Sequence, residues 1–401
     1  MSGVTQAAFD VNAETNPFPV VQYLLDQASY FNMLSVPGAP LKTITSGGDT
    51  VGFEITEDLL RFSIEMEKPS VEHGVRARNC AGELLGRITH RWLFAPDDFD
   101  AHPGEEPPPT AFDAGLEQRF VMLNSVCTFT GHDSFLGFGA GHTIPVSAGG
   151  CPQLLAGAVG AILKGEGKFE GLDGVYTYCG SLHPARGFTG SVVLRVVDPT
   201  GRLRGQANSS RTAFIPSPDP DFSYIAFRAI KPDDSYKTTL TYKADGTPQG
   251  LHLEPQLRAF NIDCGVTARG PKSDTTTGFV LGSMTADIAF NPLNPGGPGT
   301  NVAPIPFSNF DVYRFHSEDG ALVGSIGGNG SEGRTFLMTL PANNQQAVRF
   351  GGFGPLQDGR GALTGAVGMM AHNSAVGIAP HALATLFVCR IFDPEGRHRA
   401  A

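Results

Sequence analysis

The chain has 401 residues, of which 41% are hydrophobic and 17% charged, and it carries a formal charge of −10. That length supports two or three domains, each able to bury its own core. The acidic balance and the scatter of the basic residues argue against nucleic acid or an anionic membrane as the main partner, because both call for basic patches.

In chain order, the first stretch, 1–47, is expected to be a helical extension. Met1 to Asp10 has neither the basic run nor the apolar run of a secretion signal. No stretch reaches the ~18 apolar residues of a membrane helix. The six cysteines include no Cys-x-x-Cys pair and read as reduced, buried thiols. Together these features point to a cytoplasmic protein. From Pro17 to Leu34, the residues Val20, Val21, Leu24, Leu25, Ala28, Phe31 and Leu34 recur every three or four positions. That spacing predicts an amphipathic helix lying across a barrel mouth or a domain interface.

The segments 48–207 and 237–401 read as two copies of one unit. Leu85-Gly86 recurs as Leu281-Gly282, and Phe94-Ala-Pro96 as Phe290-Asn-Pro292, both 196 residues on. Gly74-Val-x-Ala-Arg78 recurs as Gly265-Val-x-Ala-Arg269, and Asp198-Pro-x-Gly-Arg202 as Asp393-Pro-x-Gly-Arg397. The glycine spacing of Gly165 to Gly174 returns in Gly359 to Gly368. Five landmarks in one order at a nearly constant offset indicate an internal duplication. Between the copies, 208–236 contains a Pro-Ser-Pro-Asp-Pro run and reads as a linker.

Within each copy the pattern is β. Arg87 to Phe94, Arg119 to Phe129, Thr177 to Gly180 and Ser191 to Asp198 read as strands in the first copy, and Thr385 to Phe392 repeats the last of them. With 51 glycines and 30 prolines in the chain, short strands and many turns follow. The fold class is all-β, with two tandem antiparallel barrels of about eight strands each.

Gly165-Glu-Gly-Lys-Phe-Glu-Gly-Leu-Asp-Gly174, followed by Val175-Tyr-Thr-Tyr178, resembles the Gly-x-Gly-x-Phe-x-Gly-x-x-Gly corner of the allene oxide cyclase and dirigent β-barrels. The second copy has Leu363 in place of the phenylalanine. The resemblance covers ten to fifteen residues per copy and implies a barrel with an apolar cavity. Members of those families bind small hydrophobic or phenolic molecules. The cyclase is an isomerase that uses no metal or organic cofactor, and dirigent proteins steer radical coupling. Fold alone carries neither activity over to this chain.

Strand alternation then selects the side chains that face inward. Ile88, His90, Trp92 and Phe94 share the more apolar face of their strand; the second copy has Met284, Ala286, Ile288 and Phe290 there. His90 is either a core histidine with a satisfied hydrogen bond or a general base or acid beside an aromatic wall. Tyr176 and Tyr178 share a face with Gly174, where the second copy has Met370 and His372. They are either ordinary cross-strand packing or hydroxyls that hold a ligand oxygen. His132, His142 and His183 stand near glycine-rich turns and are candidate ligand contacts at a barrel mouth. Their spacing matches no compact zinc pattern, so no metal is expected. Cys179, four residues before His183, reads as an inert thiol.

The expected function is therefore a cofactor-independent isomerase, cyclase or lyase acting on a small apolar or phenolic molecule. His90, Tyr176 and Tyr178 are the catalytic candidates, and Trp92, Phe94, His132, His142 and His183 the ligand contacts. A binding protein without turnover and a structural protein with filled barrels stay open beside it, as does a site in the cleft between the barrels. The composition is compatible with a homo-oligomer.

Overall fold

A computed structural model describes residues 28–99, 101–148, 151–183, 187–206, 215–230, 238–242, 248–290, 305–339, 346–376 and 383–400. Regular structure among them is almost wholly antiparallel strand. The first half contributes β1 (Ala28–Pro37), β2 (Lys42–Ser46), β3 (Asp49–Met66), β4 (Ala77–Ala95), β5 (Gln118–Phe129), β6 (Ser134–Ala148), β7 (Cys151–Glu166), β8 (Asp173–His183) and β9 (Gly187–Val197). The second contributes β10 (Ile215–Pro216), β11 (Phe222–Ile230), β12 (Thr238–Tyr242), β13 (Pro248–Leu253), β14 (Gln256–Thr267), β15 (Gly270–Phe290), β16 (Ile305–His316), β17 (Leu322–Thr339), β18 (Gln346–Gly361), β19 (Gly368–Val376) and β20 (Leu383–Phe392).

The strands form two 10-stranded sheets, and in each the pairing returns on itself. In the first, the order β4-β5-β6-β7-β8-β9-β1-β3 is completed by a β3–β4 pairing. In the second, β15-β16-β17-β18-β19-β20-β11-β14 is completed by β15–β16. The two rings match position for position, which is the structural counterpart of the duplicated sequence landmarks. They differ at one point. The long β3 of the first ring is divided in the second into β13 and β14, with Glu254 and Pro255 between them. Proline has no N–H for the ladder, so the strand is interrupted there.

Two expectations from the sequence are corrected. Ala28 to Leu34, assigned to an amphipathic helix, belongs to strand β1; the rest of that helix lies outside the described residues. Tyr30 and Leu34 pack toward the other ring, while Phe31 and Met33 point into their own. A strand buried on both faces places apolar residues at helical spacing by default, so periodicity cannot separate the two structures here. Second, β11 falls inside the stretch read as linker, yet it is a full member of the second ring.

The repeated glycine motif forms a tight corner rather than a bent strand. Gly167 and Gly171 have φ values of 64° and 68°, and Gly361 and Gly365 have 61° and 74°, a region that L side chains avoid. The Asp-Pro-x-Gly-Arg repeat is a second conserved corner. The Asp198 carboxylate accepts the backbone N–H groups of Arg202 (2.8 Å) and Leu203 (2.7 Å), and Asp393 accepts those of Arg397 and His398, both at 2.8 Å.

One apolar core spans the contact between the rings. Tyr30 meets Phe260 edge-on at 5.5 Å, and Phe62 meets Tyr224 at 4.9 Å. Polar groups buried there are satisfied across the contact. Arg195 Nη1 donates to the Ser374 carbonyl (3.3 Å), and its counterpart Arg390 donates to Ser181 Oγ (3.1 Å). Arg390 also pairs with Asp219 at 2.9 Å and donates to the Tyr224 hydroxyl at 2.9 Å. Removing one partner of a buried charge pair strands the other. Arg390→Ala is therefore expected to cost about 3–5 kcal/mol, read as a lowered urea midpoint. Lys42→Ala, at an exposed pair with Glu54, should cost less than about 1 kcal/mol.

Candidate functional site

The interior of the first ring is lined by aromatic rings. Trp92 stacks on Phe120 at 4.1 Å, with Phe188 edge-on to it at 5.4 Å. Phe94 stacks on Phe112 at 4.7 Å, toward one end of β4. Ile88, His90, Trp92 and Phe94 are all buried, and His90 lies 5.6 Å from both Trp92 and Tyr178, ring to ring. Tyr176 and Tyr178 point into the same interior, while Val175 and Cys179 between and beyond them pack on the second ring. Strand alternation thus placed these side chains as the sequence suggested.

A residue that sequence reasoning missed completes the group. Glu57, on β3, is wholly buried, and its Oε2 lies 3.1 Å from His90 Nε2. Ser35 on β1 donates a hydrogen bond to the other carboxylate oxygen. The contact between Glu57 and His90 is within ion-pair reach, but it is not aligned as a directed hydrogen bond, and His90 Nδ1 has no partner. The Tyr178 hydroxyl is near enough to Glu57 to feel its charge. Burial first, and that charge second, hold the phenol well above its ordinary value, so it stays protonated. Burial also raises the Tyr176 phenol. Neither hydroxyl completes a well-directed hydrogen bond, nor does Trp92 Nε1. The signal for Glu57 was present in the sequence: Phe53, Ile55 and Leu59 share its face of β3, so a carboxylate interrupts an apolar alternation.

Such a group is expensive. A buried carboxylate and imidazole lose their hydration, and each buried polar atom left without a partner adds roughly 1–3 kcal/mol. The second ring avoids that cost altogether. Ile55 pairs with His90 and Leu253 with Ala286, which puts Pro255 in the place of Glu57. Ser35 and Ala229 stand at the same point, each paired with the leucine that follows (Leu59 and Leu257). Ser35, Glu57, His90 and Tyr178 thus become Ala229, Pro255, Ala286 and His372. The group has been replaced as a unit.

The second ring carries a different buried set. On β16, Asp311 is bonded by Asn309 and, at 3.0 Å, by the Tyr313 hydroxyl. In the first ring the equivalent positions are Ser125, Met122 and Cys127, as the pairings to Gly137, Trp92 and Ile88 show. Burial raises the Asp311 acid to about 7, and burial lowers His372 to about 3.

The three remaining histidines do not join His90. His132 is exposed in the turn between β5 and β6, with φ of 73°. His142 lies ten residues on, ~30 Å along an extended strand. There it is half-buried against Phe353 at 6.1 Å, with Glu117 at 3.4 Å. His183 ends β8, and its side chain is outside the described residues. Among the described residues, no helix is long and apolar enough to cross a membrane. No family model, curated protein or solved structure matches the chain.

The two shifted groups have opposite signatures in stability. His372 refuses a proton when folded, so its stabilising contribution is lost as pH falls from about 6.5 toward about 3. Asp311 holds its proton when folded, so its contribution is lost as pH rises from about 4 through about 7. Each is worth on the order of 4 kcal/mol when fully expressed. Urea midpoints against pH should show a shallower acid limb for His372→Gln. Asp311→Asn should leave that limb alone and gain stability on the native chain above pH 7.

Proposed function

We propose that each ring is an eight-stranded β-barrel of the allene oxide cyclase and dirigent kind, and that the first encloses a proton-transfer site for a small, largely apolar or phenolic molecule. The reading rests on one observation above all: a carboxylate, an imidazole and a phenol converge from β3, β4 and β8 inside an aromatic interior, and the other copy has none of the three.

Each group has a role that suits its surroundings. The free nitrogen of His90 takes a proton from a carbon next to the substrate's carbonyl, or returns it at a neighbouring atom. Glu57 balances the imidazolium that forms, and Ser35 holds the carboxylate in place. Tyr178 and Tyr176, kept protonated by burial, donate to the oxygen on which negative charge develops. Trp92 and Phe94 shape the apolar wall. Isomerisation, cyclisation and a lyase step all fit this pattern, and none transfers electrons to an acceptor.

A second reading, a structural barrel filled by its own side chains, has a specific observation in its favour. Tyr176 is wedged between glycines: a Cβ at Gly137 would lie 2.6 Å from its ring, and one at Gly160 2.3 Å. Small barrels are commonly filled in this way.

Trp92 is the single tryptophan of the chain and so reports on this interior alone. Titration with a panel of apolar and phenolic carbonyl compounds should quench or shift its fluorescence saturably. The compound that saturates it should take up deuterium from D2O next to its carbonyl. His90→Ala should slow that exchange by about 10²–10⁴-fold while binding persists, and Glu57→Gln should slow it less. A flat titration with blue emission overturns the proton-transfer reading and leaves the filled barrel.

A further inference from the structure

The interior of the second ring is not a degenerate copy of the first. Asp311 on β16 is 1% exposed. Its Oδ2 accepts from both Asn309 and Tyr313, which fixes the carboxyl in one orientation, while Oδ1 has no partner among the described residues. The strands on either side place small residues opposite it, Ala286 on β15 and Gly328 on β17. A Cβ at Gly328 would sit 3.0 Å from Met370 Cε and 3.7 Å from the Tyr313 hydroxyl. The room beside the bare oxygen is therefore bounded by a thioether and a phenol.

Aromatic rings complete the enclosure. Tyr313 lies 5.1 Å from Phe227 and 5.0 Å from Phe387, and those two are 5.4 Å apart. Among the described residues no lysine or arginine pairs with Asp311. His372, on β19 and 5.5 Å from Phe387, is held neutral by burial and supplies no positive charge. Asp287 on β15 adds a second negative charge to the surroundings of Asp311. A carboxylate buried without a counter-ion is costly, and the faces of aromatic rings attract cations. Both features call for the same complement.

We infer that the interior of the second ring binds a small organic cation, an ammonium group on an apolar body, with Asp311 Oδ1 pairing the charge and Tyr313, Phe227 and Phe387 enclosing it. This site is separate from the proton-transfer group of the first ring and stands or falls without it.

The test is calorimetric titration of the full chain at pH 8 with benzylamine, and with benzyl alcohol as its neutral counterpart. One saturable site is expected, with benzylamine tighter by on the order of tenfold or more. Asp311→Asn should reduce benzylamine to the level of the alcohol. Ala286→Leu, which fills the room without touching any charge, should abolish both. His90→Ala should change neither. Equal affinity for the two probes overturns the inference, as does no binding to the native chain or benzylamine affinity that survives Asp311→Asn. If Asp311→Asn does not fold, Ala286→Leu decides the matter, and unchanged benzylamine affinity there overturns it.

Discussion

Where the two rings meet, their strands have no solvent face. On β8, Tyr176 and Tyr178 fill the first ring while Val175, Thr177 and Cys179 press on the second. A strand in that position must be apolar on both sides, and any polar group it carries must find its partner across the contact. The buried residues at the contact obey this. Asn373 Nδ2 donates to the Val175 carbonyl at 2.8 Å, Cys179 Sγ to the Met369 carbonyl at 2.9 Å, and the two equivalent arginines reach in opposite directions. The rings are held in one relative placement because several directed bonds, and not only apolar area, would be lost in any other.

That arrangement frees the interiors to diverge. Backbone pairing closes each ring whatever side chains point inward, so the interior positions bear mainly on packing and chemistry. The first interior has put a carboxylate, an imidazole and two phenols among aromatic rings. The second has spent its polar positions on Asp311, Asn309 and Tyr313, with Pro255, Ala286 and Met370 where the first has Glu57, His90 and Tyr176. Buried pairs of this sort seldom stabilise a fold more than apolar residues of the same volume would. Their presence in one copy and absence from the other is better explained by what each interior does.

The turn motifs have a simpler logic. Gly201 and Gly396 have φ of 71° and 70°, so the Asp-Pro-x-Gly-Arg corner can be made only with glycine at that point. The aspartate before it caps the turn and also receives a serine hydroxyl from the first strand of its ring, Ser29 in one copy and Ser223 in the other. A local turn is thereby tied to the strand that closes the core.

Much of this was legible in the sequence. The duplication was, because corner glycines and capping aspartates are demanded by local backbone geometry and therefore survive as recognisable spacings. The inward faces of β4 and β8 were, because side chains alternate along any strand. The sequence could not reveal that Ala28 to Leu34 is a strand, since burial on both faces mimics a helical period. It could not join Glu57 and Ser35 to His90 either. Those residues are 22 and 33 positions apart from Glu57 along the chain, and they meet only through the pairings of β1 with β3 and β3 with β4. Local chemistry decided where the chain turns and which residues face in. Only the closing of each ring decided which of them touch, because register between strands is set by the whole sheet and not by any one segment.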